Sequence, residues 1–242
     1  MTATEFDNLL FRRYGFAQSP GGRLLLYVHF FWKRLAWQWM IAGARSAKRA
    51  VDLVFSFIAL ILLSPLFALI AVLIKLEDGG PVFFKQTRVG QHGCEFKMYK
   101  FRSMCLDAEH RLQELLAKNH HRQGVTFKIK DDPRITKVGK WLRKFSLDEF
   151  PQFYNVLIGD MSLVGPRPPV PREVAKYSPA DRRRLAVKPG LTCIWQISGR
   201  AEIDFSGQVQ LDVLYIESQK LWTDLAILVK TVPAVISGKG AC

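Results

Sequence analysis

At 242 residues, 49% of them hydrophobic, the chain is long enough for one domain with a real core and a membrane appendage. A net charge of +14 calls for an anionic partner, whether nucleic acid, a membrane surface or a phosphorylated substrate. Cys94, Cys105, Cys193 and Cys242 are far apart and form no metal-ligand spacing with the five histidines, which argues against a disulfide framework and a zinc site.

The first 74 residues hold 8 basic and 3 acidic side chains, the remainder 27 and 18, so both parts are basic, as suits attachment to anionic lipid. Residues 1–22 read as a leader ending in Ser19-Pro-Gly-Gly22, without the apolar core of a secretion signal. Residues 24–41 are rich in aromatics (Tyr27, Phe30, Phe31, Trp32, Trp37, Trp39), but Lys33 and Arg34 interrupt them. The nine uncharged residues before Lys33 are too few to span a bilayer. Aromatic and basic residues mixed in this way fit the headgroup level of a membrane, and an ordinary core helix is the alternative.

Residues 51–74 form the membrane element, with only Asp52, Ser56 and the pair Ser64-Pro65 as polar or helix-breaking positions. As a helix the stretch is roughly 36 Å long, enough for a straight crossing. Pro65 near its middle removes a backbone hydrogen bond, and Ser64 can satisfy the carbonyl that is freed. Arg45, Lys48 and Arg49 precede the stretch and Lys75 follows it. Positive charge at both ends predicts that both face the cytoplasm, and hence a helix that enters, breaks and returns. A plain single-pass anchor would put everything after it on the outer side.

Residues 82–102 read as a β-hairpin turning at Gly90-Gln-His-Gly93, with Lys100 and Arg102 giving one face a basic character. A helix over 106–118 and a polar loop over 119–132 follow. Residues 136–144 predict a short amphipathic helix with Val138, Trp141 and Leu142 inward, ending beside Arg143. Next comes Ser146-Leu-Asp148-Glu149-Phe-Pro151, an adjacent pair of acids just after an arginine. Ser146 and Glu149 fit a capping box; with Asp148 as the cap instead, Pro151 falls harmlessly in the first turn of a helix over 148–157. Phe150, Phe153, Tyr154 and Leu157 would form its core stripe. In Gly165-Pro-Arg167-Pro168 the two prolines restrict the backbone around a second arginine. Two acids flanked by guanidiniums suit a reaction on phosphate, because guanidiniums bind its oxygens through paired donors and a carboxylate can act as nucleophile, proton acceptor or Mg²⁺ ligand. Farther on, Arg182-Arg-Arg184 reads as a solvated or lipid-facing run, 191–197 as a strand closed by Gly199-Arg200, and 206–236 as two helices.

The ordered blocks Pro81-Val-Phe-Phe-Lys-Gln-Thr-Arg-Val-Gly90, Phe96-Lys-Met-Tyr-Lys-Phe-Arg102-Ser-Met104, Asp132-Pro-Arg-Ile-Thr-Lys-Val-Gly139, the acid-pair segment and Lys188-Pro-Gly-Leu-Thr-Cys-Ile-Trp-Gln-Ile-Ser-Gly-Arg200 resemble the bacterial sugar transferases, the monotopic phosphoglycosyl transferases, over roughly residues 46–237. The resemblance implies an α+β, mostly helical fold with a re-entrant helix-break-helix anchor (46–75) broken at Ser64-Pro65; the leader and interfacial segment before it (1–45) has no matched role in the resemblance. A compact cytosolic domain (76–242) with a small β-hairpin and interfacial amphipathic helices completes the fold. It implies transfer of a sugar-1-phosphate from a UDP-sugar to undecaprenyl phosphate, releasing UMP, at the cytoplasmic face of a bacterial inner membrane. Asp148 would be the nucleophile, and Glu149 a metal ligand or proton acceptor. Asp148 and Glu149 would together hold Mg²⁺, with Arg143, Arg167, Arg102 and Arg200 binding phosphate. Galactose, glucose and N-acetylated sugars are all compatible, as is a homodimer. A nucleic-acid binder would explain the charge but not residues 51–74, and no recognition motif for nucleic acid is present.

Overall fold

A computed structural model describes residues 14–16, 18–108, 110–111, 132–199 and 203–237. The chain divides into two compact units, Met1–Lys48 and Arg49–Cys242. Helix α1 (Pro20–Asp78) begins in the first and continues into the second. In the first unit Tyr27, Phe30, Phe31, Trp32, Trp37 and Trp39 are all exposed, which removes the core-helix alternative for this segment.

Within the second unit, α1 is long and apolar enough to cross a membrane. Leu60, Leu63, Phe67, Ile70 and Ile74 pack inward, whereas Val54, Phe57, Ile61, Leu62, Val72 and Leu76 lie exposed. So much exposed apolar surface is foreign to a water-soluble face. Helical structure is continuous through Ser64-Pro65. Pro65 has no N–H to give the Ile61 carbonyl, and Ser64 Oγ donates to that oxygen instead at 2.7 Å. The expected break is therefore a repaired point inside one helix. Both ends of the apolar stretch are tied to the same unit. Arg49 donates through Nη1 and Nη2 to the carbonyls of Val156 (2.6 Å) and Leu157 (2.8 Å), and Asp52 Oδ1 accepts from the Leu163 amide. At the other end Glu77 Oε1 accepts from the Lys137 amide at 2.7 Å, and Asp78 pairs with Arg102.

The predicted hairpin is present as β1 (Phe83–Val89) and β2 (Glu95–Phe101), antiparallel, with Phe84 opposite Lys100, Gln86 opposite Met98 and Arg88 opposite Phe96. Because opposed residues share a face, Arg88, Gln86, Met98 and Lys100 look the same way. Of the helix expected over 106–118 only the start is described, and most of the 119–132 loop lies outside the described residues.

Helix α2 (Lys137–Lys144) is capped by Thr136, whose side chain accepts from the Gly139 amide. It buries Leu142 and packs Val138, but Trp141 is turned out against Phe145, contrary to expectation. A three-residue 3-10 turn (Leu147–Glu149) follows and carries the acid pair; helix α3 (Gln152–Ile158) begins only after Pro151. The predicted single helix over 148–157 is thus two pieces. Phe153 is buried and Phe150 packs beside the same core, while Tyr154 is half-exposed against Tyr99.

A second, parallel pair of strands, β3 (Ser162–Val164) and β4 (Gly190–Thr192), was not anticipated as a sheet. Helix α4 (Pro171–Val174) and a 3-10 segment (Asp181–Ala186) intervene. The expected strand over 191–197 stops at Thr192 and gives way to helix α5 (Ile194–Ser198). The two closing helices are α6 (Phe205–Glu217) and α7 (Leu221–Ser237), as predicted. The main core joins Met98, Phe153, Val156, Met161, Leu163, Val164, Tyr215 and Ile227, so hairpin, α3, β3, α6 and α7 all converge behind the acid-pair turn.

Candidate active site

Ser146 sets the turn that presents the acids. Its backbone is left-handed (φ 55°), a conformation uncommon for a residue with a side chain, and its hydroxyl caps nothing. The capping-box reading is therefore excluded. The strained residue ends α2 and swings the next three into the 3-10 turn, bringing Asp148 and Glu149 toward β2. Strain of this kind persists where surrounding structure enforces it, commonly at functional sites.

Lys100 meets both acids: Nζ lies 2.6 Å from Glu149 Oε1 and 4.0 Å from Asp148 Oδ2. Arg167 Nη1 reaches the same Glu149 oxygen at 3.3 Å. Lys100, Glu149 and Arg167 line a small cleft with Arg88, Met98, Gln152, Pro168, Gly190 and Leu191. The Asp148 side chain is 10% exposed, that of Glu149 17% and that of Arg167 36%, so the acids lie deeper than the arginine.

The environment drives the two neighbouring carboxyls apart. Burial pushes Asp148 above the ordinary aspartate range, against the pull of Lys100 and with the push of Glu149. Burial also acts on Glu149, but Lys100 and Arg167 outweigh it and hold this carboxyl down at about 2. Burial lowers Lys100 and Arg143, each opposed by the acids. Glu149 raises Arg167. Glu149 is thus a fixed anion, and Asp148 the carboxyl whose charge is least compensated.

Arg143 is positioned from α2. A side chain at Gly139 would strike the backbone of Ser103 (2.0 Å to its carbonyl oxygen), so only glycine lets α2 approach that closely. The approach allows Arg143 Nε to donate to Ser103 Oγ at 3.0 Å, with its charge acting on Asp148 and Asp132. The Pro-Arg-Pro segment is held by an equally close crossing of Gly165 and Gly190: a Cβ on Gly190 would lie 2.0 Å from the Gly165 nitrogen.

Of the residues singled out from sequence, Asp148, Glu149, Arg143 and Arg167 come together. Arg102 does not join them; it is buried and engaged with Asp78 at the end of α1. Arg200 lies outside the described residues. Lys100 emerges as the cation between the acids, although alternation along β2 gave it only a general basic face. Arg88 was not singled out. The signal for both is the hairpin register, which puts them on one face. Arg184, read as surface, is 5% exposed; it pairs with Asp212 at 2.6 Å and lies over the rings of Tyr177 and Phe205.

Among the described residues no group of three or more His, Cys, Asp or Glu could cage a metal. Two adjacent carboxylates nevertheless fit Mg²⁺, which keeps most of its waters and takes one or two carboxylates plus substrate phosphate oxygens.

Two buried carboxylates among cations, with Glu149, Lys100 and Arg167 lining a cleft, are an arrangement whose chemistry suits phosphate oxygens. The bacterial sugar transferase family matches residues 43–238, and the chain belongs to that family. It is 50% identical over 196 residues to the galactosyl transferase CpsE of Streptococcus agalactiae serotype III (81% of this chain, 43% of that one). It is 43% identical over 198 residues to the exopolysaccharide production protein ExoY of Sinorhizobium fredii (81% and 88%). It is 45% identical over 202 residues to the undecaprenyl-phosphate galactose phosphotransferase of Salmonella typhimurium (82% and 42%). The chain thus spans less than half the length of CpsE and of the Salmonella protein, and most of ExoY.

Proposed function

We propose that this protein transfers a sugar-1-phosphate from a UDP-sugar to undecaprenyl phosphate at the cytoplasmic face of the bacterial inner membrane, the first membrane step of an exopolysaccharide or other surface glycan. The observation that carries the reading is the buried Asp148-Glu149 pair, both acids paired with Lys100 and Glu149 lining a cleft beside Lys100 and Arg167, in a chain of this family. The names of the Salmonella and Aeromonas hydrophila relatives specify undecaprenyl-phosphate galactose and N-acetylgalactosamine phosphotransfer.

Direct attack of one phosphate on another suffers charge repulsion, and a carboxylate nucleophile divides the reaction in two. An Asp148 carboxylate oxygen attacks the sugar-bearing phosphorus of the UDP-sugar. The bond from that phosphorus to the bridging oxygen breaks, and UMP leaves with the bond's electrons. An oxygen of undecaprenyl phosphate then attacks the same phosphorus, the acyl–phosphate bond breaks, and the Asp148 carboxylate is restored. Lys100 bridges the two acids and, with Arg167 and Arg143, faces the phosphate oxygens as negative charge gathers on them. Lys100 takes the phosphate role that the family resemblance implies for Arg102. Glu149 stays ionised and fixes Lys100 and Arg167 in place. Mg²⁺ bound to Asp148, Glu149 and substrate phosphate would neutralise charge on the diphosphate.

The lipid substrate requires the cleft to sit at a membrane. The ends of the apolar stretch are bonded to one folded unit, through Arg49 and Asp52 on one side and Glu77 and Asp78 on the other. A straight crossing would separate those ends by a bilayer. This supports an anchor that enters and leaves on the same face, flexing at Ser64-Pro65, where a side-chain hydroxyl already replaces the missing backbone bond. The exposed aromatic and basic residues of 24–41 fit the headgroup layer of a membrane.

The test is release of UMP from a panel of UDP-sugars by the purified protein with undecaprenyl phosphate and Mg²⁺. Continuing release, beyond one UMP per protein, that depends on the lipid and on Mg²⁺ is expected with at least one sugar. No release with any would overturn the proposal.

A further inference from the structure

The proposed chemistry leaves Arg88 without a role, although its guanidinium lines the cleft. Three of its nitrogens are committed. Nε (3.1 Å) and Nη2 (2.7 Å) donate to Gln86 Oε1, two residues away on the same face of β1, and Nη1 donates to the Pro168 carbonyl at 2.8 Å. The next residue repeats the attachment, since the Val89 amide donates to the Pro169 carbonyl at 2.9 Å. On the other side of Arg167, the Gly190 amide donates to the Pro166 carbonyl at 2.9 Å and the Gly165 amide to the Thr192 carbonyl at 3.0 Å. Arg167 therefore stands at the crest of a segment pinned on both sides: to β4 before it, to β1 after it.

The choice of an arginine for this task is informative. Burial first, and the neighbouring Arg167 charge second, lower Arg88 to about 10, against the opposite pull of Glu173 and Glu149. A neutral donor could hold the Pro168 carbonyl without setting a buried cation beside another cation. Arg88 does more than close a hydrogen bond: its rigid fork, aimed by Gln86, fixes the carbonyl in direction as well as distance.

We infer that Arg88 is a positioning residue of the transfer reaction, holding the Pro168 carbonyl so that Arg167 meets the phosphate in its productive geometry. The inference rests on the transferase reading and adds a residue to it. It differs from direct phosphate binding in a measurable way: a group that acts through Arg167 has nothing to do once Arg167 is gone.

A double-mutant cycle on the full chain in the transfer assay tests it, with Arg88→Gln, Arg167→Gln and the double variant, together with Arg88→Lys and Gln86→Leu. Misplacing Arg167 should lower kcat by roughly 10- to 100-fold in Arg88→Gln, with KM for the UDP-sugar shifting less than about threefold. In the Arg167→Gln background the same change should cost less than about threefold. Arg88→Lys, which can still donate to the carbonyl, should recover part of kcat. Gln86→Leu, which leaves the charge but frees the fork, should lose kcat more mildly.

Losses that multiply in the double variant would mean that Arg88 acts independently of Arg167, and would overturn the assignment. So would wild-type kcat in Arg88→Gln or, should that variant not fold, wild-type kcat in Gln86→Leu. An inactive wild type would sink the transferase reading itself. An active wild type with multiplying losses would sink only the role of Arg88.

Discussion

Two buried ion clusters lie in the same folded unit, and they are built differently. Arg184 and Asp212 form a closed pair, one charge against one, with the guanidinium over the rings of Tyr177 and Phe205. Around Glu149 and Asp148 the cations outnumber the acids: Lys100 and Arg167 make ion pairs there, and Arg143 and Arg88 act on them from close by. The first cluster balances one charge with one, although Arg184 Nε finds no hydrogen-bond partner, and it joins α6 to the 3-10 segment at Asp181–Ala186. The second has a surplus of positive charge that an anionic substrate would complete. A balanced buried pair reads as structure, and an unbalanced one beside a cleft reads as a site.

Substitutions should separate the two clusters cleanly. The largest effect on activity belongs to Asp148→Asn, expected to cut transfer by roughly 10³-fold or more with the thermal unfolding midpoint unchanged or raised, since an under-compensated buried acid is removed. Full turnover would remove Asp148 as nucleophile. Arg184→Met should do the reverse, costing about 3–5 kcal/mol of stability by leaving Asp212 buried and unpaired while activity per folded molecule stays near normal. Asp212 is already raised to about 6 by burial. Without Arg184 it can shed its charge by protonation, so the loss should be smaller at pH 5 than at pH 8, as denaturant titration at the two values would reveal.

Lys100→Met should lower transfer by roughly 10²-fold, because it strips the shared cation from both acids and from the phosphate. A change of less than about threefold would reduce Lys100 to a structural counter-ion. The smallest effect is a pH dependence. Glu149 sits at about 2 when folded against an ordinary 4.5, so its stabilising contribution is present above pH 4.5 and lost as pH falls toward 2. Glu149→Gln should flatten the fall in unfolding midpoint over that window. An unaltered slope would mean that Glu149 is not held as a paired anion.

The two clusters also mark what could be read from the sequence. The hairpin, α2, the closing helix pair and the convergence of Asp148, Glu149, Arg143 and Arg167 were legible, because local periodicity, turn residues and short sequence separation encode them. Lys100 was not legible as a site residue: alternation shows that a strand has a basic face, and only the hairpin's packing on the acid-pair turn shows what that face meets. Arg184 was misjudged because a run of three arginines looks solvated, and Asp212 lies 28 positions further along the chain. Arg102 fell to the end of α1 because Asp78 reaches it first. The acid pair was expected in a helix; the left-handed Ser146 puts it on its own turn, a backbone choice that serine does not announce.

The account depends most on a covalent bond between Asp148 and the sugar phosphate. The direct measurement is the intact mass of the protein after rapid mixing with a panel of UDP-sugars and Mg²⁺, with no lipid acceptor, followed by quenching. The wild type should gain the mass of one sugar phosphate with at least one donor, and Asp148→Asn should gain none. A wild type that turns over with lipid yet never carries the added mass, or an Asp148→Asn variant that carries it equally, would contradict the account.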